Sequence, residues 1–593
     1  MASSSAGFTH VPNPVAQYAQ SAGKHKRSVS DTEKEMLAAY KGHDADIPSN
    51  EGYVLDAVGE LKREQAIATQ YTTYHSTRKS GETPPKDGAS EEVEKQSADA
   101  SVGESDNSNI VWWDGPDDPQ NPLNFSSWLK ALNIGLVASI CFVSPLASSM
   151  FAPGVPEVMK EFKNSNVELA SFVVSVYVLG FAAGPMVLAP LSEIYGRLPV
   201  YHACNVGFVA FTAACALSTN LKMLIGFRFV AGCFGSAPLT NGGGSIADLV
   251  IQENRGRGMS FFVLGPIIGP VRRLEFRSKL ISVVGPVAGG YLSEAKGWRW
   301  VFWVLAMLSG FCTILCFFFM RETYAPTILS RKAARLRKET GNLELRSKLD
   351  IGLSTKDFFI RSIIRPAKML ALSPIVLSTS LYVGVIYGYL YLLFTTFTLV
   401  FEDSYGFSSG SVGLTFMGIG VGSIGGLIFF AFASDKILRR QTEKADAVAA
   451  AAGKQSAGMK PEYRLPMMLP GSVLIPMGFL LYGWTANYHV HWIVPIISTS
   501  LIGIGNLAVF MTVTTYLVDA FTIYAASALA ANSVVRSVIG AVLPLAGQKM
   551  YLALGLGWGN SLLAFVAMAL LPVPIVLMKW GERLRKKFEL KNL

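Results

Sequence analysis

The chain has 593 residues, half of them hydrophobic and only 16% charged, with a mean hydropathy of +0.35 and a formal net charge of +10. That hydropathy is too high for an ordinary soluble enzyme and points to a membrane protein. The net charge by itself would admit a nucleic-acid binder, but its distribution makes that reading unnecessary, as the loops show.

Residues 1–110 are rich in Ser, Ala, Gly, Glu and Lys, with few aromatics and no apolar periodicity. Such a segment buries too little surface to offset its ordering entropy and is predicted to be a disordered tail. It holds 11 Lys and Arg against 17 Asp and Glu, so the remaining residues carry +16. No cationic start followed by an apolar run and a small-residue cleavage site is visible. A secretory signal is therefore not expected, and the first span directs insertion.

From about residue 130 onward, apolar runs of about 20 residues recur between short polar breaks, the length a helix needs to cross the hydrocarbon. Twelve spans are predicted, near 131–151, 168–190, 199–218, 222–247, 257–292, 298–320, 372–398, 409–433, 465–485, 491–518, 526–548 and 559–579. Residues 321–368 hold 12 Lys and Arg, residues 435–464 hold seven and residues 579–593 hold six, whereas 399–409 and 485–491 hold none. With twelve spans the rich segments share one side with the N-terminus, and the positive-inside rule makes that side cytoplasmic. The basic balance thus follows from topology, and no nucleic-acid partner is expected. All six cysteines (Cys141, Cys204, Cys215, Cys233, Cys312 and Cys316) fall inside spans. They read as small core residues, with no disulfide framework, metal site or cofactor implied.

The polar breaks repeat. After span two, "GPMVLAPLSEIYGR" places Glu193 nine residues beyond Gly184 and Arg197 four further. After span eight, "GLIFFAFASDKILRR" places Asp435 and Arg439 at the same spacings from Gly426, and spans four and ten end at Asp248 and Asp519. Two six-span halves of this kind are the signature of a transporter whose site lies between them. The predicted fold is an all-α membrane protein of twelve transmembrane helices in two pseudo-symmetric halves. Residues 111–320 and 372–579 form the halves, 321–371 the cytoplasmic linker and 580–593 a cytoplasmic tail.

Several of these stretches carry a family resemblance. "GPMVLAPLSEIYGRLPVY" resembles the loop signature between helices 2 and 3 of the major facilitator superfamily, and "RFVAGCFGSAP" (residues 228–238) its helix 4 motif. Gly265, Gly269 and Pro270 open its helix 5 antiporter motif, which Gly289 and Gly290 complete late. "WDGPDDPQNPLNFS", "PEYRLPMMLPGSVLIPMGFLLYGWTA" and "YLVDAFTIYAASALAANSVVRS" are similar to the fungal twelve-helix drug:proton antiporters, from about Val111 to the C-terminus. The resemblance implies proton-coupled export of drugs, toxins, polyamines or secondary metabolites, and a proton-relay role for Arg228.

Beside that stands the chemistry of each residue. Glu193, Arg197, Asp248 and Asp435 fit a latch at helix ends, where carboxylates and guanidinium bridge helices and meet a helix dipole; a solvated turn is the plainer alternative. Arg228, some six residues into a membrane helix, costs about 2.5–3.5 kcal/mol unless it meets a partner or water. It is expected to face the cavity and tune a carboxylate or water chain, since an Arg does not itself release protons. The alternative is a structural Arg bonding carbonyls, and Arg536 in span eleven invites the same two readings. No carboxylate lies in the middle of a span. Aromatic faces are supplied by span seven, with Tyr387 and Tyr391 on one side and Tyr382 and Tyr389 on another, and span ten offers Asn506, Phe510 and Thr514. A cavity of that lining suits amphipathic, uncharged or weakly cationic molecules, although each of these residues can equally be packing.

Span five is too long and carries Arg272, Arg273, Glu275, Arg277 and Lys279 in its middle. Removing residues 271–286 restores "GPIIGPVAGGYL" and an 18-residue span. With them present, the charges must loop into water between two short apolar flanks. The segment reads as a retained intron or gene-model error, with a cytoplasmic or re-entrant insertion as the alternative. The whole predicts a non-enzymatic, monomeric exporter of small amphipathic molecules in a lipid bilayer, most simply the plasma membrane, working by proton antiport. A nutrient importer of the same fold, or a transport-dead sensor if the insertion is real, are the alternatives.

Overall fold

In the computed structural model, residues 109–115, 117–250, 281–350, 352, 354–451, 460–521 and 524–588 are described, all within the unit Gln70–Leu593. Most of the predicted disordered tail lies outside the described residues, as do Gly265, Gly269, Pro270, the charged part of the insertion and the side chain of Asp435.

The first half comprises α1 (Ser127–Ser149), α2 (Val155–Glu161), α3 (Val167–Ile194), α4 (Arg197–Ala216), α5 (Leu221–Gly235), α6 (Ala237–Leu249), α7 (Ile281–Lys296) and α8 (Trp298–Phe319). The linker holds α9 (Ala325–Thr340) and α10 (Thr355–Leu372). The second half comprises α11 (Pro374–Tyr405), α12 (Ser409–Thr415), α13 (Met417–Ala451), α14 (Met468–Asn487), α15 (Ile493–Ala520), α16 (Ala525–Ala569) and α17 (Pro572–Lys587). Polar caps start many of the spans. Asn166 accepts from the amides of Glu168 and Leu169 at the head of α3, and Asn220 from that of Met223 at α5.

Among the described residues ten stretches are long and apolar enough to cross a membrane, against twelve predicted spans. Two features account for the difference. Gly555, at φ +72°, breaks α16 and separates spans eleven and twelve inside one helical run. Span five is represented by α7 alone, 16 residues long. Phe311, Ile314, Phe317 and Phe318 of α8 stand exposed, as side chains facing lipid do. The chain is an integral, multi-pass membrane protein.

The halves repeat a packing device. A Cβ on Gly180 of α3 would lie 2.6 Å from the backbone of α5, and one on Gly426 of α13 would lie 2.6 Å from the Ile504 carbonyl of α15. At both crossings the helices touch backbone to backbone, which small residues alone permit.

The "WDGPDD" stretch fastens the chain to the linker. Strand β1 (Ile110–Val111) pairs in parallel with β2 (Arg346–Ser347), and Trp113 packs on Leu329 and Leu349. The Lys332 ammonium lies 2.6 Å from Asp114 and 3.6 Å from Asp118. Burial pushes the Asp118 carboxyl up, but the amides of Gln120 and Asp114 together with Lys332 outweigh it and hold the group below its usual range.

Candidate functional site

The membrane face that carries α9 and α10 is called here the linker face. Midway between it and the opposite face, α11, α15 and α16 converge. The Arg536 guanidinium carbon lies 4.8 Å from the ring centre of Tyr387 and 5.0 Å from that of Phe510. Its Nη2 donates to Ser533 Oγ at 3.3 Å, while its buried Nε has no partner among the described residues. Asn506, one turn from Phe510, donates to the Ile386 carbonyl at 3.2 Å. Tyr387, Asn506, Phe510 and Arg536 are all half-buried, so each keeps part of its surface toward open space.

The Tyr391 ring lies tilted against Tyr387 with centroids 5.0 Å apart, and its hydroxyl shares a 2.8 Å hydrogen bond with Ser148 of α1, joining the halves. Tyr382 corrects the sequence reading. It is 2% exposed and donates to Ser472 Oγ at 2.6 Å inside the second half, so it does not line a cavity. Tyr389 likewise points inward, donating to the Leu563 carbonyl at 2.9 Å.

Arg228 also departs from expectation. It was expected to face the cavity, yet it is 1% exposed. Its Nε donates to the Val173 carbonyl at 2.7 Å and Nη2 to that of Val174 at 3.4 Å. The guanidinium carbon lies 4.7 Å from the Phe151 ring, 5.4 Å from Tyr177 and 5.6 Å from Phe302. Backbone carbonyls and ring faces stand in for a counter-ion, which is the structural alternative.

At the linker face Arg197 is buried. Its Nε lies 3.5 Å from Asp248, its Nη1 donates to Ser192 Oγ at 2.6 Å, and its guanidinium covers the Tyr324 ring at 4.7 Å. Glu193 has no ion pair with it; Asp248 does. A residue missed from sequence completes the cluster. Glu322 accepts from the amides of Arg197 at 3.0 Å and Leu198 at 3.2 Å, capping α4 with a carboxylate at the positive end of its dipole. The counterpart in the second half is Arg464, 2.5 Å from Asp519 and 3.4 Å from Ser434 Oγ. Arg439, predicted by spacing, is instead exposed beside Glu443.

The described part of span five explains the small residues there. Of the insertion, residues 281–286 are helical and continuous with α7, so Gly285 and Pro286 occupy the places next to Val287 assigned from sequence to Gly269 and Pro270. The Gly-Pro-Val triplet occurs at both ends of the insertion, so the sequence leaves its boundary ambiguous by a residue or two. A Cβ on Gly289 would fall on the Met150 carbonyl of the first half, and one on Gly290 would lie 2.6 Å from the Ser409 carbonyl of the second.

Contacts between the halves also gather at the opposite face. Lys549 pairs with Glu168, and Glu294 accepts from Gly410 N at 2.9 Å and Ser408 Oγ at 3.2 Å. A cleft of about 190 Å³ opens beside them, lined by Met159, Val174, Thr395, Leu399 and Gln548 among others.

Known proteins fit this geometry. The family model of the Major Facilitator Superfamily matches residues 137–544. The MFS-type transporter tndD of Aspergillus flavipes is 56% identical over 86% of this chain and 91% of its own. The efflux pump radE of Floropilus chiversii is 50% identical over 82% and 86%. Among solved structures, the xylose transporter XylE from E. coli, in a partially occluded inward open conformation, superposes with a TM-score of 0.51 over 77% of this chain and 98% of its own. A POT family transporter in complex with a thioalcohol-conjugated peptide gives 0.55 over 76% and 96%. At 15% and 12% identity these two speak for the fold alone. With two glycine-crossed halves, an Arg–Asp pair at the linker face of each and aromatic residues between them, the chain belongs to the major facilitator superfamily, alongside its fungal transporters.

Proposed function

We propose that this transporter exports small amphipathic molecules in exchange for protons, by alternating access between its halves. The observation that supports it is where the halves meet. Ser148–Tyr391, Glu168–Lys549 and the Glu294 bonds cross between them at mid-depth and at the opposite face, whereas each Arg–Asp pair of the linker face stays inside one half. Contacts of that kind form in one state and break in the other as the halves rock around a central site. The positive-inside rule places the linker face and both termini in the cytoplasm, so a site loaded from that face is an export site. The efflux pump among the relatives is consistent with that direction. The plasma membrane and a monomer are the simplest setting.

Tyr387, Asn506, Phe510 and Arg536 form the cargo surface, with the buried Tyr391 beside Tyr387 at the seam of the halves. Arg228 acts on coupling through the α3–α5 junction that it ties together, without touching cargo. Arg197 and Asp248, with Glu193 in the motif of Arg197 and Asp435 at the corresponding place in the second half, act as the cytoplasmic latch. Gly265, Gly269, Pro270, Gly289 and Gly290 give helix 5 its close packing. The test is growth of a pump-deficient fungal strain expressing the chain against a panel of toxic compounds, with and without an uncoupler. Resistance to some compounds that the uncoupler abolishes is the expected result. Resistance that survives loss of the proton gradient contradicts antiport, and heightened sensitivity contradicts export.

A further inference from the structure

We propose that the central site selects aromatic acids: its cargo carries a carboxylate, phenolate or similar oxyanion that pairs with Arg536 while its ring stacks on Tyr387 or Phe510. This rests on the reading of that site as the cargo surface and refines the cargo class, displacing the uncharged or weakly cationic molecules that the sequence suggested.

The argument is electrostatic. Among the described residues no carboxylate stands at mid-depth beside Arg536. Asp248 and Asp519 sit at the linker face, engaged by Arg197 and Arg464, and Glu168 and Glu294 sit at the opposite face, engaged by Lys549 and by Ser408 with Gly410. A second mid-depth cation, Arg228, also lacks a carboxylate but is occupied by two carbonyls and three rings. Arg536 is not. It has a neutral hydroxyl on Nη2, no partner on Nε, and two ring faces, and it remains partly open. A guanidinium in a low-dielectric interior with an empty donor gains most from a ligand that brings the charge and the acceptor together, and its fork matches two oxygens at once. The flanking rings supply a stacking surface for the rest of that ligand. A cationic cargo meets the opposite situation, two arginines and no anion, and is disfavoured.

The experiment uses the purified full chain in detergent and three isosteric probes: 2-naphthoate, 2-naphthamide and 2-naphthylmethylammonium. Binding of each is measured by titration calorimetry to the wild type, Arg536→Gln and Arg536→Lys, with thermal unfolding confirming that each variant is folded. The expected result is naphthoate binding at least about tenfold tighter than the amide. Arg536→Gln should bring that ratio to near one by weakening naphthoate alone, and Arg536→Lys should keep part of it. An amide or ammonium that binds as well as naphthoate overturns the proposal, and so does a preference unchanged in Arg536→Gln. Failure of all three probes to bind overturns it too. None of these results touches proton-dependent efflux, which the growth assay reads separately, so loss of the cargo class and loss of the export reading are distinguishable.

Discussion

Each half of this molecule holds an arginine at mid-depth, and the two are used differently. Arg228 in the first half is enclosed by the Val173 and Val174 carbonyls and three aromatic rings, whereas Arg536 in the second keeps a donor with no partner among the described residues and a partly open surface between two rings. The same side chain thus serves as an internal brace where its donors are consumed by backbone, and as a receptor where they are not. What separates the roles is the occupancy of the guanidinium, since both sit at a depth where a lone charge is costly.

That contrast is broken most sharply by truncation. Arg228→Ala leaves a void among three rings and removes two charge-assisted bonds, a loss of about 3 kcal/mol or more, so abundance at the membrane should fall. Arg536→Ala should leave abundance near wild type and abolish efflux of bound cargo. Immunoblotting of membranes together with efflux decides it. Wild-type abundance for Arg228→Ala would restore the cavity-facing role expected from sequence.

Helix α7 sharpens the comparison, because its two glycines address different halves. Gly289→Leu drives a side chain onto the Met150 carbonyl inside the first half, an overpacking cost of about 1–3 kcal/mol or more, and should lower thermal stability. Gly290→Leu meets the Ser409 carbonyl across the interface and should leave the fold intact while opening the opposite face. Thermal unfolding and labelling of a cysteine placed at Gln548 separate these outcomes. Equal melting temperatures would mean that the two contacts are not distinct.

The sequence reading went furthest where a pattern is written into one strand of text. The doubled halves and the Asp248–Asp519 correspondence follow from spacing and are visible in the fold, whereas the span bounds are not, since α13 continues to Ala451 and spans eleven and twelve share one helical run. It failed where the partner comes from elsewhere. Arg464 was passed over because α13 runs on to Ala451, which carries the equivalent arginine far from the end of span eight. The repeated text around "YGRLP" and "YRLP" was the available signal. Glu322 was hidden inside a segment counted only for its positive charge. Tyr382 and Tyr387 sit on opposite helix faces, but periodicity does not say which face looks at the other half. Arg228 is satisfied by carbonyls, and no residue type announces a carbonyl.

Smaller effects are expected at the linker face. Asp248→Asn should shift the conformational equilibrium more than Asp519→Asn, because the Arg197 side chain is 9% exposed and the Arg464 side chain 18%. Glu193→Gln should do least, having no ion pair among the described residues to lose. Accessibility of a cysteine in the linker-face half of the interior reports the order, and a larger effect at Glu193 would return the latch to the motif as read from sequence.

The smallest effect concerns the clasp formed by residues 109–125. Because the Asp118 carboxyl is held below its unfolded value of 3.8, its contribution is complete above that value and is lost as pH falls through the lower folded value. Protection of that segment from hydrogen exchange, relative to the intrinsic rate at each pH, should therefore be unchanged from neutral pH down to about 4 and fall below it, whereas Asp118→Asn should lower protection at neutral pH and remove most of that acid-side loss. Protection that does not fall below pH 4 would remove Asp118 from the clasp.

Alternating access itself is tested most directly at Glu168 and Lys549, which pair across the halves at the opposite face. Cysteines at both positions, joined by a short reducible crosslinker, would fix that face closed in the full chain. Efflux should stop on crosslinking and return on reduction, while either single cysteine treated the same way keeps its efflux. Full efflux from the crosslinked protein would contradict the account, because cargo would then leave without the halves parting at that face.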